Sequence, residues 1–356
     1  MPEILRIDGS EGEGGGQILR TALALSMIAG RPFEIVNLRA GRRKPGLRPQ
    51  HLACVKASAT VCSAEVAGAA IGSRTLRFAP GAVRPGTHRF DIRTAGSTSL
   101  VLHTLALPLA LCGARSILTI SGGTHVPFSP AFHYLARQWE PLMRRLGLEV
   151  ELTLNRAGYY PEGGGEIRAR IQPAASIKPL SLGPRGPLES LEGTSAVSGL
   201  PRSIAERQRR RARHRLEAEG LHAGIELRDL PSPGKGTFLL LLARHEGGGR
   251  GCWCALGALG KRAETVADEA CDALLDFLAT RGAVDKHAAD QLLLPLALAA
   301  GPSQFPVPEV TSHLVTNARI IERFVDARIV IEGEPGREGT VAITPDPRLA
   351  RSRTSR

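Results

Sequence analysis

The stretch Thr21-Ala-Leu-Ala-Leu-Ser-Met-Ile-Ala-Gly30 has close counterparts at residues 104–113 and 292–301. Each of the three is rich in alanine and leucine and ends in glycine, which predicts a buried helix with glycine at its C-terminal cap. Pro108 and Pro295 occupy nearly matching places in the second and third stretches, so we expect each proline to kink its helix. Because one helix returns three times, the chain is predicted to contain three copies of one structural unit.

The segments around these helices predict the same order of elements in each unit. The first unit reads as strand, helix, strand, helix and two further strands, and the second unit repeats this order. The third unit opens with a predicted strand at residues 177–182, breaks off, and resumes with its helix at residue 285. The sequence therefore predicts an α/β (α+β) fold in which three tandem βαβαββ repeats form one large domain.

An insertion of about 100 residues accounts for the wide spacing before the third helix. Residues 184–282 are predicted to form a small α/β insert domain within the third repeat, bounded by joins rich in proline and glycine. The large domain then comprises residues 1–183 and 283–344. Residues 345–356 form a basic tail that we expect to be disordered.

The composition favours a globular protein with an anionic partner. The chain has 356 residues and a net charge of +12, from 46 basic and 34 acidic residues. Much of the excess lies in residues 202–215 and in the tail, a pattern typical of polyanion binding or of a solvated helix face. The sequence has no early hydrophobic run with a basic flank and no apolar stretch of membrane-spanning length, so we expect neither a signal peptide nor a membrane span. We therefore expect a soluble, cytoplasmic protein without a membrane partner, and the oligomeric state is left open.

The six cysteines predict neither a metal nor a redox role. They are scattered through apolar segments, and Cys252-Trp253-Cys254 lacks the second ligand pair that a zinc site needs. We expect them to be free thiols, most of them buried.

Two segments have the composition of phosphate-binding loops. Residues 12–17, Gly-Glu-Gly-Gly-Gly-Gln, lie between a predicted strand and a predicted helix, where glycines let backbone N–H groups approach phosphate oxygens. Residues 39–51 form the densest basic loop outside the insertion, and arginine forks match the geometry of phosphate. The alternatives are a tight turn for the first segment and a solvated loop for the second.

The segment Pro308-Glu-Val-Thr-Ser-His-Leu-Val-Thr-Asn317 places a histidine at a predicted junction. Pro306 and Pro308 favour extended backbone at its start, and residues 318–325 have the apolar period of a helix. His313 is therefore predicted near a helix N-terminus, where unpaired N–H groups and the helix dipole favour phosphate. The alternative for a single histidine is a solvated or hydrogen-bonded side chain.

Three motifs together resemble those of the RNA 3′-terminal phosphate cyclase family. They are Thr-Ser-His-Leu-Val-Thr-Asn at residues 311–317, Gly-Glu-Gly-Gly-Gly-Gln-Ile-Leu-Arg at residues 12–20 and Ala-Ala-Asp-Gln-Leu-Leu-Leu-Pro at residues 288–295. The resemblance spans residues 3–344, with the motifs in the family's order. It implies the repeated fold and an enzyme that uses ATP and Mg²⁺ or Mn²⁺. Its substrate would be an RNA with a 3′-phosphate end, which it would convert to a 2′,3′-cyclic phosphodiester.

The resemblance also implies roles for individual residues. His313 would be the nucleophile that takes AMP from ATP as a covalent histidine–AMP intermediate, and Glu13 would hold the divalent ion. The residues expected to contact the triphosphate or the RNA terminal phosphate are Arg20, Arg39, Arg42 and Gln50. The residues expected to bind the adenosine of ATP are His103, Pro130, His287, Ala288, Ala289, Asp290 and Gln291. His103 and His287 depart from the family, which commonly carries Gln and Tyr there, so those nucleotide contacts are expected to differ in detail.

Two other functions are compatible with such a fold. A non-catalytic, cyclase-like protein would be an RNA-binding factor in ribosome maturation, but relatives of that type lack the nucleophilic histidine. RNA binding without ATP binding would favour this alternative. An enolpyruvyl transferase shares a related repeat architecture, and turnover of phosphoenolpyruvate without nucleotide would identify it.

Overall fold

The computed structural model describes residues 4–12 and 14–346, which form four sheets with helices packed against them, the α/β class predicted from the sequence. The strands of the first sheet are β1 (Leu5–Asp8), β2 (Phe33–Val36), β3 (Glu65–Ala67) and β4 (Leu76–Ala79). The helices that connect them are α1 (Gly16–Ala29) and α2 (Pro49–Cys62). The strand order is β1-β2-β4-β3, with β1 parallel to β2 and the other neighbours antiparallel.

The second sheet has the same arrangement. Its strands are β5 (Thr87–Asp91), β6 (Ser116–Gly122), β7 (Val150–Arg156) and β8 (Gly165–Ile171). Its helical segments are α3 (Thr98–Ala110), α4 (Phe132–Tyr134), a π-helical turn (Leu135–Trp139) and α5 (Glu140–Arg145). The strand order is β5-β6-β8-β7, again with one parallel pair, β5 with β6. The two sheets therefore share one topology.

The sheet formed within residues 184–282 is covered on both faces. Its strands are β9 (Leu188–Ser198), β10 (Gly224–Asp229), β11 (Gly236–His245) and β12 (Arg250–Leu256), in the order β10-β9-β11-β12. Its helices are α6 (Ser203–Ala218) and α7 (Ala263–Leu278). Along β11, Leu239 and Leu241 join a cluster with buried residues of α6 and α7, whereas Phe238 and Leu240 join the main core. Because both faces are buried, β11 is apolar at successive positions instead of alternating.

The sheet nearest the C-terminus has three strands, one fewer than each of the other sheets. The elements of this region are α8 (Lys286–Leu296), β13 (Ser303–Val307), α9 (Ser312–Phe324), β14 (Arg328–Gly333) and β15 (Gly339–Thr344), with the strand order β13-β15-β14. The strand predicted at residues 177–182 is reduced to one bridge, between Ser181 and Gln304, so that prediction was wrong. Pro179 lies at its centre and has no N–H to donate to a strand ladder.

The three helices rich in alanine and leucine end differently. Gly30 caps α1 in the left-handed conformation, with φ of 63°, as predicted. However, α3 and α8 end before Gly113 and Gly301, so those predicted caps were wrong. Pro108 and Pro295 lie in the last turns of these two helices, where a missing N–H and the proline ring hinder continuation.

The basic helix α6 is tied to α7 by a ladder of ion pairs. The pairs are Arg207 with Glu264, Arg211 with Asp268, and Arg215 with both Asp268 and Asp272. Part of the charge in residues 202–215 therefore holds two helices together, while Arg210 and Arg213 remain exposed. The predicted buried free thiols are confirmed for Cys54, Cys62, Cys252 and Cys271. Within the described ranges, no helix is long and apolar enough to cross a bilayer.

Asp285 joins the start of α8 to two neighbouring elements. Its Oδ1 accepts hydrogen bonds from the backbone N–H groups of residues 287–288, at 3.0 and 2.9 Å, and from the Tyr134 hydroxyl at 3.0 Å. Its Oδ2 accepts from the Gln138 side-chain amide at 2.8 Å and from the Cys252 backbone N–H at 3.3 Å. Since Asp285 is 1% exposed, this helix cap is also a buried polar connection between segments.

Replacing Asp285 with alanine is expected to lower the free energy of unfolding by about 3 kcal/mol or more, because a cap is lost and buried donors are left unpaired. Urea unfolding followed by circular dichroism measures the change. The control is Asp276→Ala on the exposed side of α7, which should stay within about 0.5 kcal/mol of the parent. Equal stability of the two variants would contradict this account of Asp285.

Candidate functional site

The main cleft lies where the N-terminal ends of α1 and α9 meet α3, α8 and β12, and its volume is about 1130 Å³. The predicted site residues that line it are Arg20, Arg39, Arg42, Gln50, His103, Pro130, His287, Asp290, Gln291 and His313. Ala288 and Ala289 do not line the cleft, because their side chains are buried in the core beside it. Glu13 and residues 347–356 lie outside the described residues. The fold thus brings side chains from distant segments to one cleft.

His313 lies in the first turn of α9, as the sequence predicted. The Thr311 side chain caps this helix by accepting a hydrogen bond from the Leu314 backbone N–H at 3.0 Å. The Nδ1 atom of His313 lies 2.6 Å from Oε1 of Gln17, in the first turn of α1. Two helix N-termini from opposite ends of the chain therefore meet at this histidine.

A chain of side-chain amides fixes the protonation of the His313 ring. Gln17 Nε2 donates to Asp290 Oδ1 at 2.5 Å, and Asn317 Nδ2 donates to the same oxygen at 2.9 Å. Thr21 Oγ1 in turn donates to Asn317 Oδ1 at 2.7 Å, which sets the orientation of that amide. An ionised carboxylate can only accept, so Gln17 must turn its N–H₂ group to Asp290 and its Oε1 to His313. Neutral His313 therefore carries its proton on Nδ1, and Nε2 keeps the lone pair.

The Asp290 carboxylate favours this arrangement because it is partly buried at the edge of the cleft. Burial raises the pKa of Asp290 above its ordinary value, while hydrogen bonds from Gln17 and Asn317 and the nearby His313 oppose that rise. A buried carboxylate without donors is costly, so turning the Gln17 amide around would carry a free-energy penalty.

The basic loop before α2 contributes a cluster of cations to the cleft. The Arg39 guanidinium donates to the backbone carbonyls of Lys44 and Gly46, at 2.8 and 2.9 Å. Burial and the charges of Arg42 and Arg48 lower the pKa of Arg39. Like charges held this close favour a bound anion, as the phosphate-binding prediction requires.

Gly16 lies against this cluster at the start of α1. A Cβ atom on Gly16 would lie 2.2 Å from His51 Nε2 and 2.9 Å from Arg20 Nη1. Burial, together with the charges of Arg20, Arg39 and Arg48, lowers the pKa of His51 to about 3, so that ring is neutral at pH 7. Only glycine at position 16 lets His51 and Arg20 approach the helix N-terminus this closely.

A Gly16→Ala protein is expected to bind ATP about tenfold or more weakly, because the methyl group displaces His51 and Arg20 from the predicted phosphate site. Titration calorimetry measures the affinity, and thermal melting checks that the variant folds. Gly224→Ala is the matched control, since a Cβ atom there would point into open space. Unchanged ATP affinity in Gly16→Ala would count against a phosphate site at this position.

Two buried polar atoms in the cleft, His103 Nε2 and Gln291 Oε1, have no hydrogen-bond partner among residues 4–12 and 14–346. Burial lowers the pKa of His103 to about 3, so its ring is neutral at pH 7 and Nε2 either donates or accepts according to tautomer. The His103 ring lies 5.0 Å from the Trp139 ring, and Pro130 lines the same cleft. Unpaired polar atoms beside apolar surface suit the edge of a nucleobase.

Sequence reasoning missed Gln17, Asn317 and Trp139 as site residues. Gln17 and Asn317 both occur in the motifs that carry the resemblance, and their polar side chains near helix N-termini were the available signal. Trp139 belongs to no motif, and nothing in its local sequence indicates that this buried core side chain also borders the cleft.

Comparisons with proteins of similar sequence agree in one description. The sequence profile of the family described as RNA 3′-terminal phosphate cyclase matches residues 11–331. A relative of that name from Nostoc punctiforme is 44% identical to this chain, over 92% of this chain and 95% of the relative. Another, from Methylococcus capsulatus, is also 44% identical, over 97% of each chain. A third, from Methanopyrus kandleri, is 42% identical over 96% of this chain and 99% of its own length.

One solved structure, the enolpyruvyl transferase NikO from Streptomyces tendae, is also similar to part of the chain. The match covers 59% of this chain and 38% of that chain at 15% identity, with a TM-score of 0.24. This likeness is too weak to carry an argument about fold or activity.

Proposed function

The chain belongs to the RNA 3′-terminal phosphate cyclase family, and we propose that it converts an RNA 3′-terminal phosphate to a 2′,3′-cyclic phosphodiester, with ATP as co-substrate, through a histidine–AMP intermediate. It is accordingly an enzyme of the ligase type, a nucleotidyl transferase. The observation that carries the mechanism is the contact of His313 Nδ1 with Gln17, because it leaves Nε2 as the nucleophilic atom.

In the first step, Nε2 of His313 attacks the α-phosphorus of ATP. The new N–P bond forms as the bond from the α-phosphorus to the bridging oxygen breaks, and pyrophosphate leaves with the electron pair of that bond. Gln17 keeps the ring oriented and stabilises the Nδ1 proton as positive charge develops on the imidazole. Holding a nucleophile in one tautomer and direction removes much of the orientational cost of the reaction.

Arg20, Arg39 and Arg42 support this step by binding the phosphates. They line the same cleft as His313 and the N-terminus of α1, where backbone N–H groups and the helix dipole favour negative charge. Preorganised cations of this kind stabilise the charge that accumulates as pyrophosphate departs. Gln50, which also lines the cleft, is assigned to the same phosphate-binding set.

The proposal includes a divalent cation, Mg²⁺ or Mn²⁺, which Glu13 would hold. In the described part of the chain, no cluster of three or more His, Cys, Asp or Glu side chains is arranged as a metal site. One carboxylate together with phosphate oxygens and water is nevertheless a normal ligand set for these hard cations, so the residues fit. When bound, the cation would neutralise phosphate charge.

The base and ribose of ATP are assigned to the part of the cleft formed by α3, α4 and α8. His103 Nε2 and Gln291 Oε1 supply a polar pair for the base edge, while Pro130 and the His287 ring provide surface for stacking. Asp290 and Gln291 follow Ala288 and Ala289, whose small buried side chains let α8 pack closely behind the cleft.

In the later steps, an oxygen of the RNA 3′-phosphate attacks the phosphorus of the histidine-bound AMP and His313 leaves. The vicinal 2′-hydroxyl then attacks the activated 3′-phosphorus, loses its proton and expels AMP. Pockets for single small ligands are usually about 300–1,000 Å³. The cleft is larger, at about 1130 Å³. We assign the additional space to the RNA end, and assign residues 184–282 to an insert domain that forms one wall through β12.

A cyclisation assay tests the proposed function. The protein is incubated with ATP, Mg²⁺ and a 3′-phosphorylated oligonucleotide, and the product is then treated with phosphatase. A phosphatase-resistant end that forms only with ATP is expected. RNA that binds but keeps a phosphatase-sensitive 3′-phosphate would favour the non-catalytic alternative.

A further inference from the structure

A second cavity lies between the main core and the sheet of β9–β12. Its volume is about 290 Å³. The residues that line it are His133, Arg137, Leu154, Thr194, Glu226, Arg228, Leu230 and Pro231. His133 and Arg137 come from the segment of α4 and the π-helical turn, whereas Tyr134 and Trp139 of the same segment line the main cleft. One short helical segment therefore separates the two cavities, and π-helical turns frequently mark functional sites.

A pair of imidazoles determines what His133 presents to this cavity. His125 Nε2 lies 2.8 Å from His133 Nδ1, and His125 Nδ1 lies 2.8 Å from Thr124 Oγ1. The same hydroxyl oxygen accepts a hydrogen bond from the Gly158 backbone N–H at 2.9 Å. Among the described residues His125 Nδ1 is the only acceptor within reach of the hydroxyl proton, so Thr124 donates to His125. His125 then donates through Nε2 to His133 Nδ1. His133 is left with its proton on Nε2 and offers a donor.

Burial keeps both rings neutral, as this assignment requires. It lowers the pKa of His133 to about 4, with smaller effects from the charges of Glu226, Arg137 and Arg228, and it lowers the pKa of His125 well below its ordinary value. The rings are packed rigidly, since His125 stacks on Phe238 with centroids 4.7 Å apart. The direction of the His133 donor is therefore fixed by the core.

The unused hydrogen-bonding capacity of the cavity consists mainly of donors. Arg137 pairs with Glu192 through Nη2, but its Nε–H is buried and has no partner in the described ranges. Glu226, the carboxylate in the lining, is already occupied, because Thr194 donates to one oxygen at 3.0 Å and Arg228 pairs with the other at 2.8 Å. With the ion-pair partners included, three guanidinium groups face two carboxylates and His133 is neutral, which leaves one excess positive charge. The guanidinium groups are those of Arg137, Arg228 and Arg244, and the carboxylates those of Glu192 and Glu226.

We propose that this cavity is a second binding site, and that its ligand is a phosphate group held by His133, Arg137 and Arg228. Phosphate oxygens are acceptors only, which matches the unpaired donors, and a guanidinium suits their geometry. The phosphate has two sources, a free phosphate ion or a backbone phosphodiester of the RNA upstream of its 3′ end. The assignment to an RNA phosphodiester rests on the proposed function, whereas the assignment to a free phosphate ion does not.

Titration with inorganic phosphate tests the site directly. The main cleft is first filled with a non-hydrolysable ATP analogue, and ionic strength is held constant with chloride. Arg137→Gln and Arg228→Gln are each expected to weaken phosphate binding about tenfold or more, the usual loss for a charge-assisted hydrogen bond. Both variants should fold, because Glu192 keeps its pair with Arg244 and Glu226 keeps its hydrogen bond from Thr194.

Arg170→Gln is the matched control. Like Arg137, Arg170 has a side chain 39% exposed, an ion pair with a glutamate and a buried Nε without a partner in the part of the chain described here. It does not line the second cavity. Its substitution should leave phosphate affinity within about twofold of the parent.

A series of 3′-phosphorylated oligonucleotides of increasing length distinguishes the two sources. If the ligand is a backbone phosphodiester, Arg137→Gln should weaken the binding of the longer RNAs only. If the ligand is a free phosphate ion, Arg137→Gln should weaken the binding of phosphate, and its effect should not depend on the length of the RNA. The proposal is overturned if Arg137→Gln and Arg170→Gln bind phosphate and every RNA equally well. Failure of the proposed function would instead appear as absent ATP-dependent cyclisation in the parent protein.

Discussion

A His313→Ala protein is expected to lose ATP-dependent cyclisation of a 3′-phosphorylated RNA, with the rate falling by at least about 10⁴-fold, because the substitution removes the proposed nucleophile. The measurement is the rate at which a 5′-labelled oligonucleotide acquires a phosphatase-resistant end. His214→Ala, at an exposed histidine of α6, is the matched control and should retain the parent rate.

The same variant separates the first step from the last. An RNA supplied with AMP already joined to its 3′-phosphate needs no histidine–AMP intermediate, so His313→Ala should still cyclise it. Failure on this RNA as well would indicate general damage to the cleft. Normal cyclisation of the unmodified 3′-phosphate RNA by His313→Ala would contradict the proposed role.

An Asp290→Asn protein is expected to transfer AMP to His313 about 10²- to 10⁴-fold more slowly at saturating ATP, since a catalytic histidine held in the wrong tautomer can lose about 10⁴-fold in kcat. Asparagine is nearly isosteric but no longer forces Gln17 to direct its N–H₂ group at position 290. Gln17 is then free to turn its N–H₂ group towards His313 Nδ1. That orientation favours the tautomer protonated at Nε2, which has no lone pair there to attack phosphorus.

Nitrogen NMR of the labelled His313 ring measures which ring nitrogen carries the proton. A purely structural role for Asp290 would leave this protonation unchanged in the variant. In the parent protein Nε2 of neutral His313 should be unprotonated, and in Asp290→Asn a substantial fraction should be protonated. The variant is expected to stay folded, because burial raises the pKa of Asp290 and a neutral amide avoids burying a charge. An Asp290→Asn protein with the parent's transfer rate would show that the amide chain does not control the nucleophile.

The sequence predicted correctly those structural features that depend on neighbouring residues. The helix start before His313, the glycine-rich turn and the α/β class follow from residue types within a few positions of each other. Prolines limited this reasoning at two places. Pro179 prevents the strand predicted at residues 177–182, and α3, which has Pro108 in its last turn, ends before the glycine that was predicted to cap it.

The interactions that define the cleft depend on contacts between distant segments. Gln17 and His313 are 296 positions apart, and no local pattern indicates that their side chains meet. Asp285 illustrates the same limit, because nothing close to it in the sequence indicates its bonds to Tyr134, Gln138 and Cys252. The burial of both faces of β11 likewise depends on elements from other parts of the chain that cover the sheet.

The most direct test of the mechanism is to locate the adenylate on the protein. After incubation with ATP and Mg²⁺ in the absence of RNA, tandem mass spectrometry under non-acidic conditions should find AMP on His313, and phosphorus–nitrogen NMR should place the bond at Nε2. Adenylate on a different residue, or efficient cyclisation without any covalent adenylate under these conditions, would contradict the account.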